Sequence, residues 1–535
     1  MSVEWSRWLL PLIPVGMSLF AAKGIYHMFQ LESYQFPGYF RAIRRNPAHA
    51  WLPGLYTAAA SVALFYIYDL AVRQVGGWLG AVFMAGLIAL ACLAGVGIGK
   101  ALTEKKTKKK FVFTGRVKRL YAVSALAMGA LSYGVELSPL AVVPALWPLA
   151  LPFVVALCGL LAWPVEKAIS EFYFRDARRK LLSNPKLIRI GITGSYGKTS
   201  VKHIIGAILA EKYPTLITPA SFNTPMGVSR AIRERLTPSH QVFVGEMGAR
   251  HVGDIKEMCR LVKPTIGVLT SVGPQHLETF KTIERVAKTK YELIDALPAD
   301  GHAYFYDDHG ICRSMYDRTD KPKTLVSLTP GDADVWSENI SVSAQGSAFE
   351  LCVRGRGSIA CHTRLLGEHN IVNILTAAAV ANDLGLTLRQ IANAVARLQP
   401  VKSRLELLTS PNSFTVINDA FNSNPVSSKA ALQVLRQFPS RRIIITPGMV
   451  ELGAREAEYN REFGREIASA ADVAIIVGKK RAQPILDGLR EAGFPEQNIH
   501  RVDNLDASTV LLRSFVRKED TVLYENDLPD HYQEA

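Results

Sequence analysis

Gly191-Ile-Thr-Gly-Ser-Tyr-Gly-Lys-Thr-Ser200 decides how the C-terminal part of this chain folds. It follows the apolar run Leu187-Ile-Arg-Ile-Gly-Ile192, which reads as a buried strand, and precedes residues 201–210, which have helical character. A glycine-rich turn between strand and helix makes a concave row of backbone N–H groups. These groups, with the helix N-terminus behind them, hold phosphate oxygens. In such a turn Lys198 lies against β- and γ-phosphates and the Thr199 hydroxyl ligates Mg2+. The full G-x-x-x-x-G-K-[ST] spacing is not met, because Ile192 stands where its first glycine belongs. The shorter Gly194-x-x-Gly197-Lys198-Thr199 remains, and ATP is the expected ligand.

Upstream the chain changes character. Of its 535 residues 48% are hydrophobic, and most of the excess lies before residue 166. Residues 46–68, 74–99 and 137–165 are uncharged over 23, 26 and 29 positions. Each is long enough for a helix across a hydrocarbon core. Residues 8–31 are apolar apart from Lys23, and residues 120–135 are uncharged over 16 positions. Five spans are therefore expected, the first lacking the basic start of a cleavable signal. Pro144, Pro148 and Pro152 predict that the last span is broken or starts late.

Basic residues set the orientation. Arg41, Arg44 and Arg45 follow the first span. Lys105, Lys106, Lys108, Lys109, Lys110, Arg116, Lys118 and Arg119 follow the third, and Arg175, Arg178, Arg179 and Lys180 the fifth. The loops around Arg73 and Glu136 are nearly uncharged. This pattern predicts a multi-pass protein of the cell membrane, with the N-terminus outside and the C-terminal part in the cytoplasm. Residues 1–180 carry +12 of the net +15, so membrane lipid, not nucleic acid, is the expected partner of the positive charge. The six cysteines form no C-x-x-C pair, and neither zinc nor disulfide is expected.

From residue 186 the pattern is α/β, a mostly parallel sheet covered by helices. Residues 241–245 and 265–270 read as strands, and residues 367–384 as an Ala-rich helix. A second α/β unit, Rossmann-like, begins near residue 400, with strands at 414–418, 442–446, 473–477 and 521–524. The expected division is a membrane region over 1–165, a juxtamembrane linker over 166–185, a central ATP-binding domain over 186–398 and a C-terminal domain over 399–535.

Gly194-Ser-Tyr-Gly-Lys-Thr-Ser-Val-Lys202 resembles the phosphate loop of Mur ligases, especially the branch that adds D-alanyl-D-alanine in peptidoglycan synthesis. The similarity continues in the family's order through Asn223-Thr-Pro-Met-Gly-Val228, Glu246-Met-Gly-Ala249, His276-Leu-Glu278, Ala287-Lys-Thr-Lys290, Gly367-Glu-His-Asn-Ile-Val-Asn373, Arg404, Asn418-Asp-Ala-Phe-Asn-Ser-Asn-Pro425 and Glu451-Leu-Gly453. The resemblance implies that the α-helical membrane region is followed by a Mur-ligase-like P-loop ATPase domain and a Rossmann-like α/β domain. It implies an ATP-dependent ligase that phosphorylates a carboxylate and lets an amine attack the acyl phosphate.

Site residues follow from the same resemblance. Gly194, Ser195, Tyr196, Gly197, Lys198, Thr199 and Ser200 would hold the nucleotide, and Asn373 would contact adenine. Thr199 and Glu246 would hold one Mg2+, and His276 a second. Lys290, favoured by spacing over Lys288, would be the carbamylated lysine that supports that second metal. Arg404 and Asp419 would reach the nucleotide on domain closure, so that Lys198, His276, Lys290, Arg404 and Asp419 carry the chemistry.

Two departures bear on the substrates. A membrane region stands where ordinary members carry a soluble domain that grips a UDP-linked substrate. Tyr524-Glu-Asn-Asp-Leu-Pro-Asp530 stands where a Lys-Gly-Ser-Arg-like segment is expected; beside these two, Phe421 replaces a usual tyrosine. The expected partners are therefore a carboxylate-bearing acceptor, envelope-derived or lipid-linked, and an amino-acid or peptide amine. A ligase extending polyglutamate-like chains is the rival within the fold. An ATP-gated transporter is the rival outside it, disfavoured because Lys23 is almost alone as an intramembrane charge.

Overall fold

The computed structural model describes residues 9–71, 77–103, 110–136, 146–220, 222–408, 414–421, 423–479 and 481–528. Trp8, Arg73, Lys105, Lys106, Lys108, Lys109, Pro144 and Asn422 lie outside the described residues. The chain divides into two compact units that meet between Glu171 and Phe172.

The first unit is helical. Its helices are Leu12–Ala21, Lys23–Leu31, Phe36–Arg45, Pro47–Ala71, Gly77–Thr103, Gly115–Glu136 and the start of Leu151–Leu182. Among the described residues, Pro47–Tyr68, Trp78–Leu102 and Trp147–Leu182 are long and apolar enough to cross a membrane. Leu12–Ala21 and Lys23–Leu31 would make a fourth span if their pair, bent by 45°, counts as one. The expected five therefore become three or four. Gly115–Glu136 is a helix, but Arg116, Lys118 and Arg119 occupy its first turns and shorten its apolar length. The proline-rich span does start late, with a 3-10 turn at Trp147–Ala150 before the helix from Leu151. That helix runs on to Leu182 through most of the stretch expected as a linker.

Glycine lets two helices of this unit approach closely. A Cβ on Gly95 would lie 2.4 Å from the Met17 carbonyl oxygen, and one on Gly99 would lie 2.5 Å from that of Phe20. The helices Leu12–Ala21 and Gly77–Thr103 thus meet backbone to backbone across a small-xxx-small seam. Glu166 is buried and takes Arg119 bidentately at 2.5 and 2.9 Å, so that carboxylate is neutralised.

The second unit holds two sheets. The first contains β1 (Ile188–Thr193), β2 (Thr215–Ile217), β3 (Val242–Glu246), β4 (Ile266–Leu269), β5 (His302–Tyr306), β6 (Lys323–Val326), β7 (Val335–Ser343), β8 (Gly346–Val353) and β9 (Gly357–Thr363), in the order β2-β3-β1-β4-β5-β6-β7-β8-β9. It is parallel through β6–β7 and closes with an antiparallel β7-β8-β9 meander. Its central parallel strands are apolar because both faces are covered. Lys198–Leu209, Glu368–Asp383 and Leu388–Ala396 pack on one face. Asp254–Val262, Ile283–Asp295 and Ile311–Asp317 pack on the other, with Phe174, Ala177 and Leu181.

The second sheet contains β10 (Glu406–Leu408), β11 (Thr415–Asp419), β12 (Arg442–Thr446), β13 (Val473–Val477), β14 (Ile499–Val502) and β15 (Thr521–Glu525), ordered β10-β11-β15-β12-β13-β14. All pairings but β10–β11 are parallel. In both sheets the polar residues gather past the carboxyl ends of parallel strands, where open α/β sheets bind ligands.

Candidate active site

β1 leads into a turn that only glycine can make. Gly194 and Gly197 have φ of +154° and +76°. A Cβ on Gly194 would lie 2.0 Å from Thr270 Oγ1, and one on Gly197 would lie 2.9 Å from Asn373 Oδ1. The loop is braced from β4's far end. The amides of Ser195 and Tyr196 donate to Ser271 O and Ser271 Oγ, both at 2.8 Å, and Ser195 Oγ donates to Gly273 O at 3.1 Å. Lys198 begins the helix Lys198–Leu209, with Thr199 and Ser200 in its first turn. The Lys198 ammonium folds back onto the loop, donating to Gly194 O at 2.7 Å and Ser195 O at 3.0 Å. Burial, with Arg404 adding to it and Glu246 opposing, brings Lys198 down to about 8.

Glu246 ends β3 and is buried. Its Oε2 accepts from Thr199 Oγ1 and from Lys202 Nζ, both at 3.0 Å, and its Oε1 accepts from Asn223 Nδ2 at 3.2 Å. Burial alone would raise this carboxyl, but Lys202 and Lys198 hold it below the usual range. Thr199 and Glu246 present converging hard oxygens, a donor set that fits Mg2+ completed by phosphate and water. Among the described residues no three His, Cys, Asp or Glu side chains cluster as a metal cage, so a divalent ion here relies on such mixed ligands.

His276 sits at φ +53° before the helix Leu277–Phe280, with Nδ1 hydrogen-bonded to the Glu451 carboxylate. An ionised carboxylate can only accept, so Nδ1 donates, and in a neutral ring Nε2 is the nitrogen that carries the lone pair. Burial lowers the His276 pKa, and Glu451 opposes that fall. Lys290 is 2% exposed on the helix Ile283–Asp295, whereas Lys288 is exposed. Burial, with Lys198 adding to it, pushes the Lys290 amine far below its ordinary value. A buried amine whose charged form is disfavoured suits carbamylation by CO2.

The second sheet supplies the rest. The Arg404 guanidinium stacks 4.4 Å from the Phe421 ring centre, and Asp419 Oδ1 accepts from the Leu405 amide at 3.2 Å. Burial raises Asp419 to about 6 against the pull of Arg404. Arg404 in turn lies within electrostatic reach of Glu246 and Lys198. Asn373 and Asn370 share a helix face, joined by a 3.3 Å hydrogen bond, with the Asn373 oxygen over Gly197. Lys198 is the common neighbour, its charge registering at Glu246, His276 and Lys290.

Three residues quoted in the sequence only as motif members emerge with contacts. Lys202 could have been found from its place four residues after Lys198 on one helix face. Glu451 could have been found as a carboxylate just beyond a strand end, the logic that singled out Glu246. Asn223 gives no signal beyond its motif. At the end of β15, Glu525 is wholly buried, contacting the hydroxyls of Ser423 and Thr446, the latter at 2.8 Å. Burial pushes it up to about 8.

Residues 192–381 match the model of the Mur ligase middle domain, and residues 403–524 that of the Mur ligase glutamate ligase domain. The UDP-N-acetylmuramoyl-tripeptide--D-alanyl-D-alanine ligase of Escherichia coli K12 is 34% identical over 331 residues, covering 60% of this chain and 73% of that protein. The enzyme of the same name from Mycobacterium tuberculosis H37Rv is 32% identical, covering 62% and 69%. The crystal structure of MurF from Acinetobacter baumannii superposes with a TM-score of 0.61 at 26% identity, covering 67% of this chain and 77% of that one. With phosphate loop, both sheets and two domain matches in agreement, this chain belongs to the Mur ligase family of ATP-dependent ligases.

Proposed function

We propose that this protein is a membrane-anchored ligase that joins a carboxylate to an amine through an acyl phosphate, acting on a peptidoglycan-like or other envelope precursor. One observation carries the reading. Lys198, Thr199 and Glu246 from the first sheet and Arg404 and Asp419 from the second converge on one place. That grouping suits a polyphosphate held between two domains.

The loop amides from Gly194 to Thr199 bind the phosphates, and the Lys198 ammonium turns from its loop carbonyls to the terminal phosphoryl. Thr199 and Glu246 would hold the first Mg2+, and His276 with a carbamylated Lys290 would support the second. Bound Mg2+ supplies charge neutralisation on the phosphate oxygens. Asn373 faces the base, Asp419 and Arg404 the rest of the nucleotide. The substrate carboxylate oxygen takes the γ-phosphoryl and ADP leaves. The amine nitrogen then attacks the acyl carbon and inorganic phosphate departs. Domain closure keeps water from the acyl phosphate.

The proposed domains are residues 1–165, 166–185, 186–398 and 399–535. Three long apolar helices and the basic segments support membrane anchoring with the catalytic part in the cytoplasm. The acceptor is then lipid-linked or gathered at the membrane surface. Membranes supplied with ATP, Mg2+ and candidate acids and amines test the proposal by ADP release and intact mass of products. Coupled ADP release and a new C–N bond are expected. ATP cleavage that never yields an amide under any pairing overturns it.

A further inference from the structure

Lys202 is not needed by any step above, yet its side chain is 0% exposed against a 1% exposed Glu246. Its ammonium holds Glu246 Oε2 at 3.0 Å, the oxygen that also receives the Thr199 hydroxyl, and hydrogen-bonds the Ala220 carbonyl. A buried ion pair is a poor stabiliser compared with well-packed apolar residues, so its presence asks for another reason. The place it occupies supplies one. A cation held by Thr199 and Glu246 would sit on that same oxygen.

We infer that Lys202 is a placeholder cation, keeping Thr199 and Glu246 from taking a divalent metal until a nucleoside triphosphate brings it. The inference rests on the reading of Thr199 and Glu246 as ligands of the first metal. Charge supports it. Lys198, Lys202 and Arg404 gather around Glu246 and Asp419, leaving positive charge in excess. Bringing a bare divalent ion into this buried cluster is unfavourable. A triphosphate reverses the local sign and supplies the missing oxygens. Asn223, fixed on Oε1, keeps the carboxylate from swinging away while Lys202 yields Oε2. The ammonium retains the Ala220 carbonyl as a partner and stays in place. Metal and nucleotide then enter together, and the nucleotide-free enzyme does not hold metal that misplaces the incoming phosphates.

Mn2+ binding to the full-length protein in detergent, followed by the EPR signal of free Mn2+, tests this with and without a non-hydrolysable ATP analogue. Wild type should bind Mn2+ at Glu246 at least about tenfold more weakly without the analogue. Lys202→Met should remove most of that difference by tightening nucleotide-free binding, Lys202→Arg should behave as wild type, and Glu246→Gln added to Lys202→Met should cancel the gain. Melting curves check folding, with Lys202→Gln standing in if the Met variant melts early. Equal nucleotide-free affinities for wild type and the neutral variants overturn the placeholder role. So does tight nucleotide-free binding by wild type that Glu246→Gln abolishes. If Glu246→Gln leaves nucleotide-dependent Mn2+ binding unchanged, the ligand assignment itself fails, and the placeholder role fails with it.

Discussion

The imidazole of His276 is hydrogen-bonded through Nδ1 to the carboxylate of Glu451, 175 positions further along the chain. Both residues hold left-handed backbone, at φ of +53° and +66°. The Glu278 amide donates to the Glu451 carbonyl at 3.3 Å, and Arg250 lies 3.6 Å from the Glu451 carboxylate. Glu451 therefore orients a candidate metal ligand from the other domain. Partners that fix a ligating histidine are typically worth about 10- to 100-fold in affinity or activity. Glu451→Ala should lower ADP release by that factor with little change in melting temperature, and Glu451→Gln, which keeps an acceptor, should fall less.

Lys198→Ala should reduce ADP formation to background, because no other side chain reaches the terminal phosphoryl from the loop in this reading. Wild-type turnover in that variant would remove the phosphate-loop assignment.

Lys290 should carry a carbamate. 13C NMR of protein equilibrated with labelled bicarbonate should show a carbamate carbon that Lys290→Arg lacks and Lys288→Arg retains. Stripping CO2 should lower wild-type activity, and restoring it should recover the rate.

Glu525 sets a pH dependence of stability. Its folded value of about 8 lies above the ordinary 4.5, so the folded state keeps a proton that the unfolded chain releases. The contribution is complete below the ordinary value and is lost as pH rises to about 8, on the order of 1.4 kcal/mol per pKa unit. Asp419, raised to about 6, acts with the same sign at lower pH, and Lys198, lowered to about 8, acts above that window. Over that window Glu525 pulls melting temperature down as pH rises, opposed up to about 6.5 by His369, which burial lowers to about 4, and Glu525→Gln should remove the Glu525 contribution.

The helix seam gives a paired comparison. Gly95→Ala should cost about 1–3 kcal/mol in detergent by forcing the Met17 backbone away. Gly97→Ala, whose Cβ would meet nothing within 4 Å, should be neutral or slightly stabilising.

Local signals made much of this legible. The apolar run before Gly194, the glycines themselves and the helix after them all act within a few residues, and so does the strand that places Glu246. Lys290 was reachable by spacing, and its burial separates it from Lys288. The break at Ala22–Lys23 was hidden because a bent pair and a straight span share one composition. Gly115–Glu136 misled because its apolar run is continuous while its basic first turns limit the span. The meander β7-β8-β9 is not legible from apolar runs because polar residues such as Glu338, Asn339 and Glu350 interleave with the apolar ones. Glu451 acts on His276 across two domains, and no window along the chain contains both.

The nearness of Arg404 to Lys198 across two sheets bears on how the enzyme is made. A growing polypeptide leaves the ribosome with its nucleotide cradle long before the arginine and the glutamate that complete it. Until the last domain has emerged and folded back, such a nascent chain lacks the parts needed for futile hydrolysis.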